Sequence, residues 1–436
     1  MRVDIRSLIE KRYKLILAGL AALVVLLGIA NMILLNPLKL TTGQTPSWWE
    51  VIESVETGRG YKTCQKSYIP NCELTNQYTA IREPAPILLF ALVGRLTHNS
   101  VTAFQLVQLA IVLLILPGVF WLGREIGGLS AGLLAATMWA LYLPGLSLQN
   151  EITGDLLEGL FVVYGFLKFV HILKQGRTRD WLAFGLLFGL AVLSRSAALI
   201  LVSVLGLGYL VDMYVRKRSS AFIPEGWIKK AFISVIAFAL VLSPWVIRNW
   251  LTFGEPVVGT TLTGYTLYRH NAIIAKDVPP HYVGPGEGLQ LVQELIARRP
   301  ELMTPLNEVQ VNDIFKKEFN ALIKAHPFKY IMLSAYRFLP LWFNISVREG
   351  YGNEMTKWDY LTIPQQAILL VAFILGMLKR NDSIRLIGVS ILVYFIAYLA
   401  VQGQIRYTIP VASGVIAIGA VGLLSKLPTR IRELLP

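Results

Sequence analysis

The sequence predicts an all-α protein that crosses a membrane about ten times. Hydrophobic residues make up 54% of its 436 positions and the mean hydropathy is +0.54, values too apolar for a soluble domain. Apolar stretches of the length needed for one bilayer crossing recur along the chain. Clusters of Lys and Arg stand at alternate ends of these stretches, as at the cytoplasmic ends of transmembrane helices. We therefore expect a helix bundle that is solvated by lipid.

The crossings follow one another along the chain, with a short pair near the middle. We predict crossings at Leu15–Leu35, Val101–Leu122, Ser130–Leu148, Thr153–Leu173, Trp181–Leu193, Ala197–Val211, Ala231–Trp250, Ile363–Leu378, Leu386–Ala400 and Pro410–Leu424. The two that flank Arg195 are short, and we expect them to form a tight hairpin. The first crossing is too long for a cleaved signal peptide, and no small-residue cleavage site follows it.

The net charge of +14 indicates membrane topology rather than nucleic-acid binding. The basic clusters are Arg2–Lys14, Lys174–Arg179, Arg216–Lys230, Lys379–Arg385 and Lys426–Arg432. With the predicted crossings they all fall on one side, so both termini are predicted to be cytoplasmic in a multi-pass protein of the plasma (inner) membrane. The clusters are expected to contact anionic membrane lipids, and no nucleic-acid partner is expected.

Residues 37–100 are predicted to form an outside loop with two juxtamembrane helices. Trp48–Val55 has the pattern of a short interfacial helix, with tryptophans at the headgroup level. The turn Gly58-Arg59-Gly60-Tyr61 ends it. Glu83-Pro84-Ala85-Pro86 then opens a second apolar helix, Ile87–Leu96, which is too short to span a bilayer. The two helices are expected to form a rigid platform beside the membrane.

A second outside region is predicted at residues 251–361, within a chain that we treat as one integral membrane domain, residues 1–436. Its acids and bases nearly balance over most of its length, unlike those of the basic cytoplasmic loops. A helix is predicted from Thr304-Pro305 to His326-Pro327. The last part, Ser346–Leu361, is predicted to be a polar loop.

The stretch Phe328–Ile345 is apolar and long enough to cross the membrane. A crossing there would place the basic C-terminus outside, against the charge bias. We therefore predict an amphipathic interfacial helix, with Lys329 and Arg337 snorkelling to the membrane surface.

The chain has two cysteines, Cys64 and Cys72, close together in the first outside loop. In an oxidising compartment they are disulfide candidates, although free thiols are equally compatible with the sequence. A metal pair is less favoured, because no His or further Cys lies nearby.

Several carboxylates are predicted within one interface layer, where an acid can serve as a general base toward an acceptor hydroxyl or help to hold a metal. The candidate catalytic acids are Glu50, Glu83, Glu151 and Asp155. Each is also compatible with a solvated loop acid. Glu151 is favoured because it lies in a very short turn between two apolar helices, and Asp155 follows one helical turn later. We expect Glu50, Glu83 and Glu151 to lie around one outward cavity.

Four arginines lie at or beyond the outside ends of the crossings, where the charge bias does not favour them. They are Arg195, Arg248, Arg269 and Arg406. A guanidinium suits phosphate because it donates in a planar fork and stays charged. Each arginine alone is compatible with snorkelling to lipid headgroups. Four on one side favour a shared anion site.

A polar and aromatic run follows a glycine-containing turn in the second outside region. Its members are Tyr265, Tyr268, Arg269, His270 and Asn271. Together they offer stacking and hydrogen bonds to a sugar ring, although His270 is also compatible with an ordinary surface histidine.

Short motifs are spread over almost the whole chain. They are Ile52–Tyr61, Arg82-Glu83-Pro84-Ala85-Pro86-Ile87, Gly123-Arg124-Glu125-Ile126-Gly127-Gly128-Leu129, Ser243-Pro244-Trp245-Val246-Ile247-Arg248-Asn249-Trp250 with Phe253-Gly254, and Arg406-Tyr407-x-x-Pro410. In this order they resemble the GT-C glycosyltransferases of the bacterial family similar to protein mannosyltransferases and to the aminoarabinose transferase of lipid A. The fourth motif resembles the family's Pro-Trp-x-x-Arg-Asn signature most strongly.

The resemblance implies a GT-C bundle and an inverting enzyme that moves a hexose or pentose from a polyprenyl-phosphate carrier. The acceptor would be a lipid, glycan or protein on the outer (periplasmic) face. The carrier phosphate would be bound by basic residues and a tyrosine, namely Arg82, Arg195, Arg248, Arg406 and Tyr407. An acid would deprotonate the acceptor, and Glu151 matches the family's second acidic position. No cofactor is certain, and a divalent metal is compatible with such a site.

The sequence departs from the family near the start of the first outside loop, where the family has an aspartate. Here the stretch is Thr41-Thr42-Gly43-Gln44-Thr45-Pro46, with no acid. Either Glu50 or Glu83 substitutes, or the chain is an inactive carrier-binding scaffold of the same fold. A glycolipid transporter or flippase is the remaining alternative, although we detect no paired repeats of the kind that transporters have.

Overall fold

The computed structural model describes residues 5–35, 46–218, 225–345, 347, 354–355 and 357–428. Within these residues the chain is helical apart from turns and linkers, and β pairing is limited to one isolated bridge between Lys62 and Tyr78. The predicted all-α polytopic membrane fold is confirmed. The acid-free stretch at 41–46 lies outside the described residues except for Pro46, and much of the polar loop predicted at 346–361 lies outside them too. The end of that predicted loop is helical instead, because a helix begins at Lys357.

The helices are numbered here in chain order. They are α1 (Ile5–Ala30), α2 (Pro46–Glu56), α3 (Pro84–Thr97), α4 (Val101–Gly127), α5 (Leu129–Ala140), α6 (Leu143–Leu148), α7 (Asp155–Gln175), α8 (Thr178–Ser194), α9 (Ala198–Arg218), α10 (Trp227–Phe253), α11 (Thr263–Asn271), α12 (Pro285–Arg298), α13 (Glu308–Ala325), α14 (Pro327–Tyr336), α15 (Lys357–Met377), α16 (Asp382–Val401) and α17 (Ile409–Leu424).

Eight helical segments in the described part of the chain are long and apolar enough to cross a membrane. They are Lys11–Ile33, Val101–Gly127, Asp155–Gln175, Ala198–Val215, Trp227–Phe253, Asp359–Met377, Asp382–Val401 and Ile405–Leu424. The other two predicted crossings are shorter helices. One is α8, with 17 residues. The other is divided into α5 and α6, because the chain leaves the helix at Leu141 and Tyr142 ahead of Pro144.

The bundle is built around α17, whose side chains are almost all buried. Helices α4, α5, α7 and α15 pack around it, and α8 packs between α7 and α10. Glycines allow the closest approaches, as they commonly do between membrane helices. A Cβ at Gly422 of α17 would meet the Ala372 carbonyl oxygen of α15, and one at Gly185 of α8 would meet the Ser234 carbonyl oxygen of α10.

The two juxtamembrane helices of the first loop are present as α2 and α3. Trp48 and Ile52 of α2 pack on Ile87 and Phe90 of α3 in a small buried core. Three exposed leucines follow one another along α3 at helical spacing, namely Leu88, Leu92 and Leu96. This apolar stripe is typical of a helix that lies in the membrane interface.

The second outside region forms a compact set of helices, α11 to α14. Its core contains Tyr265, Leu295 and Phe315. The predicted helix begins at Glu308 rather than at Thr304, because Asn307 caps it and closes a capping box with Gln310. We refer to α2, α3 and α11 to α14, with their linkers, as the cap layer.

The α-helix in the stretch Phe328–Ile345 is shorter than the predicted interfacial helix, and Arg337 bonds this stretch to its neighbours. It consists of α14 and a following turn of π-helix, Leu339–Phe343. Phe328 and Ile331 are exposed, as in an interfacial helix. The prediction that Arg337 snorkels is wrong: its side chain is buried and donates to carbonyl oxygens of α16 and the cap layer.

Polar contacts join the two parts of the cap layer. Glu308 accepts hydrogen bonds from Ala80 N at 2.8 Å and from Thr261 Oγ1 at 2.6 Å. Cys64 and Cys72 form a disulfide that closes the loop between them. The hydrogen bonds of Glu308 fix the first loop against the second outside region.

The close approach of α8 and α10 can be tested by adding one methyl group. Gly185→Ala places a Cβ against the Ser234 carbonyl oxygen and should lower the free energy of unfolding by roughly 1–3 kcal/mol. Gly206→Ala in α9 is the matched control, because a Cβ there meets no described atom within 4 Å. Thermal unfolding in detergent measures both, and equal melting temperatures for the two variants would contradict this packing.

Candidate functional site

A cavity of about 1050 Å³ lies between the bundle and the cap layer. Its walls come from the first loop, the α8–α9 junction, α11 with its linkers, and the end of α16 with the turn that follows. Its volume is at the upper end of the range for small-molecule sites. Charged and aromatic side chains from distant parts of the sequence therefore meet in one space.

Glu83 is the buried acid of this cavity. It precedes Pro84 at the start of α3, and its side chain is 6% exposed. Ser196 donates two hydrogen bonds to Glu83 Oε1, from its backbone N at 2.8 Å and from Oγ at 2.9 Å. No hydrogen bond to Oε2 is found among the described residues. The carboxylate is thus oriented through one oxygen, which leaves the other for a ligand.

Arg195 is held by a buried ion pair behind the cavity wall. It follows the last residue of α8 in an extended conformation, and its Nη1 lies 3.1 Å from Asp155 Oδ1. Asp155 begins α7 and is fully buried. A buried charge without a partner is strongly destabilising, so Asp155 allows Arg195 to stay charged at this position.

Arg406 shares the ring of Tyr407 with Arg195. The guanidinium carbons lie 4.8 Å (Arg406) and 5.4 Å (Arg195) from the ring centroid. Arg406 Nη2 donates to Tyr407 Oη at 2.9 Å, whereas Nε and Nη1 are buried with no hydrogen-bond partner in the described part of the chain. Two cations therefore lie beside one tyrosine, and the ion pair with Asp155 is made by Arg195 alone. This arrangement favours an anion.

Arg82 is the third cation on this side of the cavity. Its guanidinium lies over the rings of Trp48 at 5.2 Å and Tyr68 at 5.4 Å. Burial lowers the pKa of Arg82; Tyr68 and Glu83 oppose this, and Arg195 and Arg406 add to it. The like charges are thus close enough to repel one another, which an anion between them would relieve.

Another part of the cavity wall carries some of the predicted polar run of the second outside region. Tyr265, Arg269 and His270 line the cavity. Burial raises the pKa of Tyr265 to about 12, so its hydroxyl stays protonated. Arg269 donates to the Pro285 carbonyl oxygen at 3.1 Å. Burial lowers the pKa of His270 well below 6.5, and neighbouring arginines add to this effect, so its ring is neutral.

Several residues predicted for the site do not line this cavity. Tyr268 accepts a hydrogen bond from Arg298, and Asn271 accepts one from Arg337. Arg248 faces the first loop, where it donates to the carbonyl oxygens of Thr79 and Tyr61 and packs over the Tyr61 ring. Its Nη1 and Nη2 therefore already donate within the protein.

The predicted acids divide into two groups. Glu50 and Glu83 line the cavity, with Glu50 exposed and accepting from Thr63 Oγ1 at 2.7 Å. Glu151 and Asp155 are not among the residues that line it. Burial raises the pKa of Glu151, with Arg406 opposing the rise and Asp155 adding to it. The expected meeting of Glu50, Glu83 and Glu151 around one cavity is therefore found for the first two.

Sequence reasoning missed several residues of the site. Ser196, Tyr398 and Gln402 line the cavity, and Glu158 lies fully buried behind it with neither carboxylate oxygen hydrogen-bonded in the described part of the chain. Glu158 follows Asp155 by three residues, and that helical spacing was the available signal. No group of three or more His, Cys, Asp or Glu that could hold a metal occurs among the described residues.

Residues 82–247 match the family model described as dolichyl-phosphate-mannose-protein mannosyltransferase. No curated protein matches the chain significantly. Among solved structures, the chain is similar to the Archaeoglobus fulgidus oligosaccharyltransferase tethered with an acceptor peptide, at 15% identity and a TM-score of 0.54. The alignment covers 96% of this chain and 50% of that chain, so this chain spans about half the length of the archaeal protein.

Two further structures are similar to this chain. AglB from Archaeoglobus fulgidus, in complex with an inhibitory peptide and a dolichol-phosphate, matches at 14% identity and a TM-score of 0.53, covering 96% of this chain and 50% of that chain. ArnT from Cupriavidus metallidurans bound to undecaprenyl phosphate matches at 11% identity and a TM-score of 0.43, covering 94% and 78%.

The chain has the GT-C fold. The resemblance to GT-C proteins inferred from short motifs is therefore confirmed. The match to the family model, residues 82–247, includes Glu83, Asp155 and Arg195, and it ends one residue before Arg248. Arg269 and Arg406 lie beyond it, so the GT-C cavity combines matched and unmatched parts of the chain.

The neutral His270 of the GT-C cavity makes a prediction about stability and pH. Its pKa is lowered in the folded state, so the unfolded chain takes up a proton below about pH 6.5 and the folded chain does not. Stability should therefore fall as the pH drops below 6.5, by up to roughly 1.4 kcal/mol per pH unit from this residue. Melting temperatures at pH 7.5 and 5.5 should differ less in His270→Gln than in the parent. An equal pH dependence would contradict a buried, neutral His270.

Proposed function

We propose that this protein is a membrane glycosyltransferase that moves a sugar from a polyprenyl-phosphate carrier to an acceptor, with inversion at the anomeric carbon. The observation that carries the proposal is the pairing of Arg195 and Arg406 with the oriented acid Glu83 in one cavity beside the bundle. The match to the mannosyltransferase family model and the likeness to an oligosaccharyltransferase in complex with a dolichol-phosphate support the same reaction class.

The carrier phosphate would bind between Arg195 and Arg406, with Arg82 nearby. Arg406 supplies two buried donor nitrogens that have no hydrogen-bond partner in the described residues.

The lining next to these arginines is apolar and comes from two transmembrane helices and their ends, through Ala197, Ile200, Ala397 and Val401. A polyprenyl chain would lie along this wall, because its tail is apolar and its phosphate is anionic.

Glu83 is the proposed general base. An acceptor hydroxyl oxygen attacks the anomeric carbon of the sugar while its proton passes to the Glu83 carboxylate. The bond between that carbon and the phosphate oxygen breaks, and the electron pair leaves with the polyprenyl phosphate. Arg195 and Arg406 stabilise the charge that develops on the departing phosphate. A single displacement of this kind inverts the anomeric carbon.

The three other candidate acids are less suited to this step. Glu50 is exposed and engaged by Thr63, so water competes for its carboxylate. Glu151 does not line the cavity, and Asp155 is committed to Arg195. Glu83 therefore substitutes for the aspartate that the GT-C resemblance implies at 41–46.

The sugar would lie against the wall formed by Tyr265, Arg269 and His270. Their ring faces and polar hydrogens suit a hydroxylated ligand, and the neutral His270 can both donate and accept. The acceptor, a lipid, glycan or protein, would approach from the cap layer. By the charge bias of the loops this layer faces the periplasm and both termini are cytoplasmic.

Removing the acid should abolish transfer. Glu83→Gln is expected to lower the turnover of a radiolabelled polyprenyl-phosphate sugar roughly 100-fold or more, because the isosteric amide cannot take the proton. Glu50→Gln is the control and should transfer at close to the parent rate. A parent that transfers no sugar from a panel of donors, while still binding undecaprenyl phosphate, would instead favour a scaffold or flippase.

Substitutions of Arg406 and Arg248, which the sequence could not distinguish, should differ in their effect on carrier affinity. Arg406→Gln should weaken undecaprenyl-phosphate binding roughly 10–100-fold, because a charge-assisted hydrogen bond to the phosphate is lost. Arg248→Gln should bind it as the parent does, since the Arg248 donors are engaged by Thr79 and Tyr61. The measurement is a binding titration in detergent, and equal losses in both variants would remove Arg406 from the phosphate site.

A further inference from the structure

Arg337 lies between two walls of the cavity and is 4% exposed. It follows α14 and does not itself line the cavity. Its Nη1 donates to the carbonyl oxygens of Leu399 at 3.1 Å and Ala400 at 3.2 Å, at the end of α16. Its Nη2 donates to the His270 carbonyl oxygen at 2.7 Å and to Asn271 Oδ1 at 2.9 Å, at the end of α11. One planar group therefore joins a transmembrane helix to the cap layer.

The two segments that Arg337 joins carry different parts of the proposed site. The end of α16 leads directly into Gln402, Arg406 and Tyr407, the proposed phosphate side. The end of α11 carries His270 of the proposed sugar side. The chain after α16 also passes close to this residue, because a Cβ at Gly403 would lie 2.6 Å from the Arg337 carbonyl oxygen. Arg337 therefore contacts both segments at once.

The charge of Arg337 is balanced by carbonyl dipoles. No carboxylate in the described part of the chain lies within ion-pair distance of it, and burial lowers its pKa to about 10, with Tyr330 opposing the fall. An unpaired buried charge is costly, and two apolar faces would hold helices together more favourably. What a guanidinium adds is a rigid fork whose donors reach acceptors on both elements at fixed angles. The arrangement serves geometry rather than stability.

We propose that Arg337 is a positioning residue, which sets the distance between the carrier-phosphate side and the sugar side of the cavity. The inference rests on the proposed function for its effect on transfer, but the distance itself can be measured without any activity. In a transfer reaction, a displacement of about 1 Å between reacting groups can cost around 100-fold in rate. Arg337 would therefore act on turnover while touching neither substrate.

The kinetic test compares variants that remove different parts of the contact. Arg337→Met should lower kcat about 100-fold per folded molecule, with undecaprenyl-phosphate affinity close to that of the parent. Arg337→Lys should restore part of the loss, because an ammonium can still donate to carbonyl oxygens on both sides. Asn271→Ala removes one acceptor only and is the milder variant should Arg337→Met fail to fold; its kcat should fall less than that of Arg337→Met.

Tyr330→Phe is the matched control. Tyr330 belongs to α14 and its hydroxyl donates to the same Ala400 carbonyl oxygen at 3.0 Å, but it makes no hydrogen bond to α11 among the described residues. The kcat of Tyr330→Phe should stay near that of the parent. A loss of activity in Arg337→Met and Asn271→Ala that merely follows the fraction of folded protein would overturn the proposal, as would a kcat loss in Tyr330→Phe equal to theirs.

A distance measurement separates this inference from the proposed function. Spin labels at Thr263→Cys in α11 and Ile396→Cys in α16, read by pulsed dipolar spectroscopy, report the separation of the two elements, and the native cysteines are protected by their disulfide. Arg337→Met should shift or broaden this distance, and Tyr330→Phe should not. An unchanged distribution in Arg337→Met would overturn the inference even if transfer is observed. A shifted distribution in a protein that transfers no sugar would uphold the inference and reject the proposed function.

Discussion

The short junction between α8 and α9 carries the interactions on which the cavity depends. Arg195 forms an ion pair with Asp155 of α7, and the next residue, Ser196, donates two hydrogen bonds to Glu83 at the start of α3. Two adjacent residues thus fix one cation and one acid relative to each other. Because the partners come from the bundle and from the cap layer, the junction also sets how the two layers meet.

The polar groups around this junction are costly to bury. Asp155, Glu158, Arg195 and Arg406 all have buried side-chain atoms without a hydrogen-bond partner in the described residues. A chain selected for stability alone would replace such groups with apolar ones of similar volume. Their concentration beside a large cavity is typical of a functional site, where local rules of packing are broken for chemistry. The rest of the bundle compensates through close helix packing around α17.

The sequence predicted the helices well because apolar length and basic flanks are local signals. It also indicated Glu83, Arg195 and Arg406 as candidate site residues, since all three lie near predicted helix ends on one side of the membrane.

The sequence could not show that Arg406 lines the cavity and Arg248 does not. Both stand at such ends, but the Arg248 guanidinium turns to Thr79 and Tyr61, which lie far away in the sequence. The direction of a side chain at a helix end is decided by tertiary contacts that periodicity does not contain. The same limit applies to Arg337, whose partners are carbonyl oxygens of α16 and α11.

We propose above that a carrier phosphate binds between Arg195 and Arg406, within reach of Glu83. A structure determined with undecaprenyl phosphate bound tests it most directly. We expect the phosphate to accept hydrogen bonds from both guanidiniums, and the polyprenyl chain to lie along Ala197, Ile200, Ala397 and Val401. A phosphate bound at Arg248, or outside the cavity altogether, would show that this binding site is wrong.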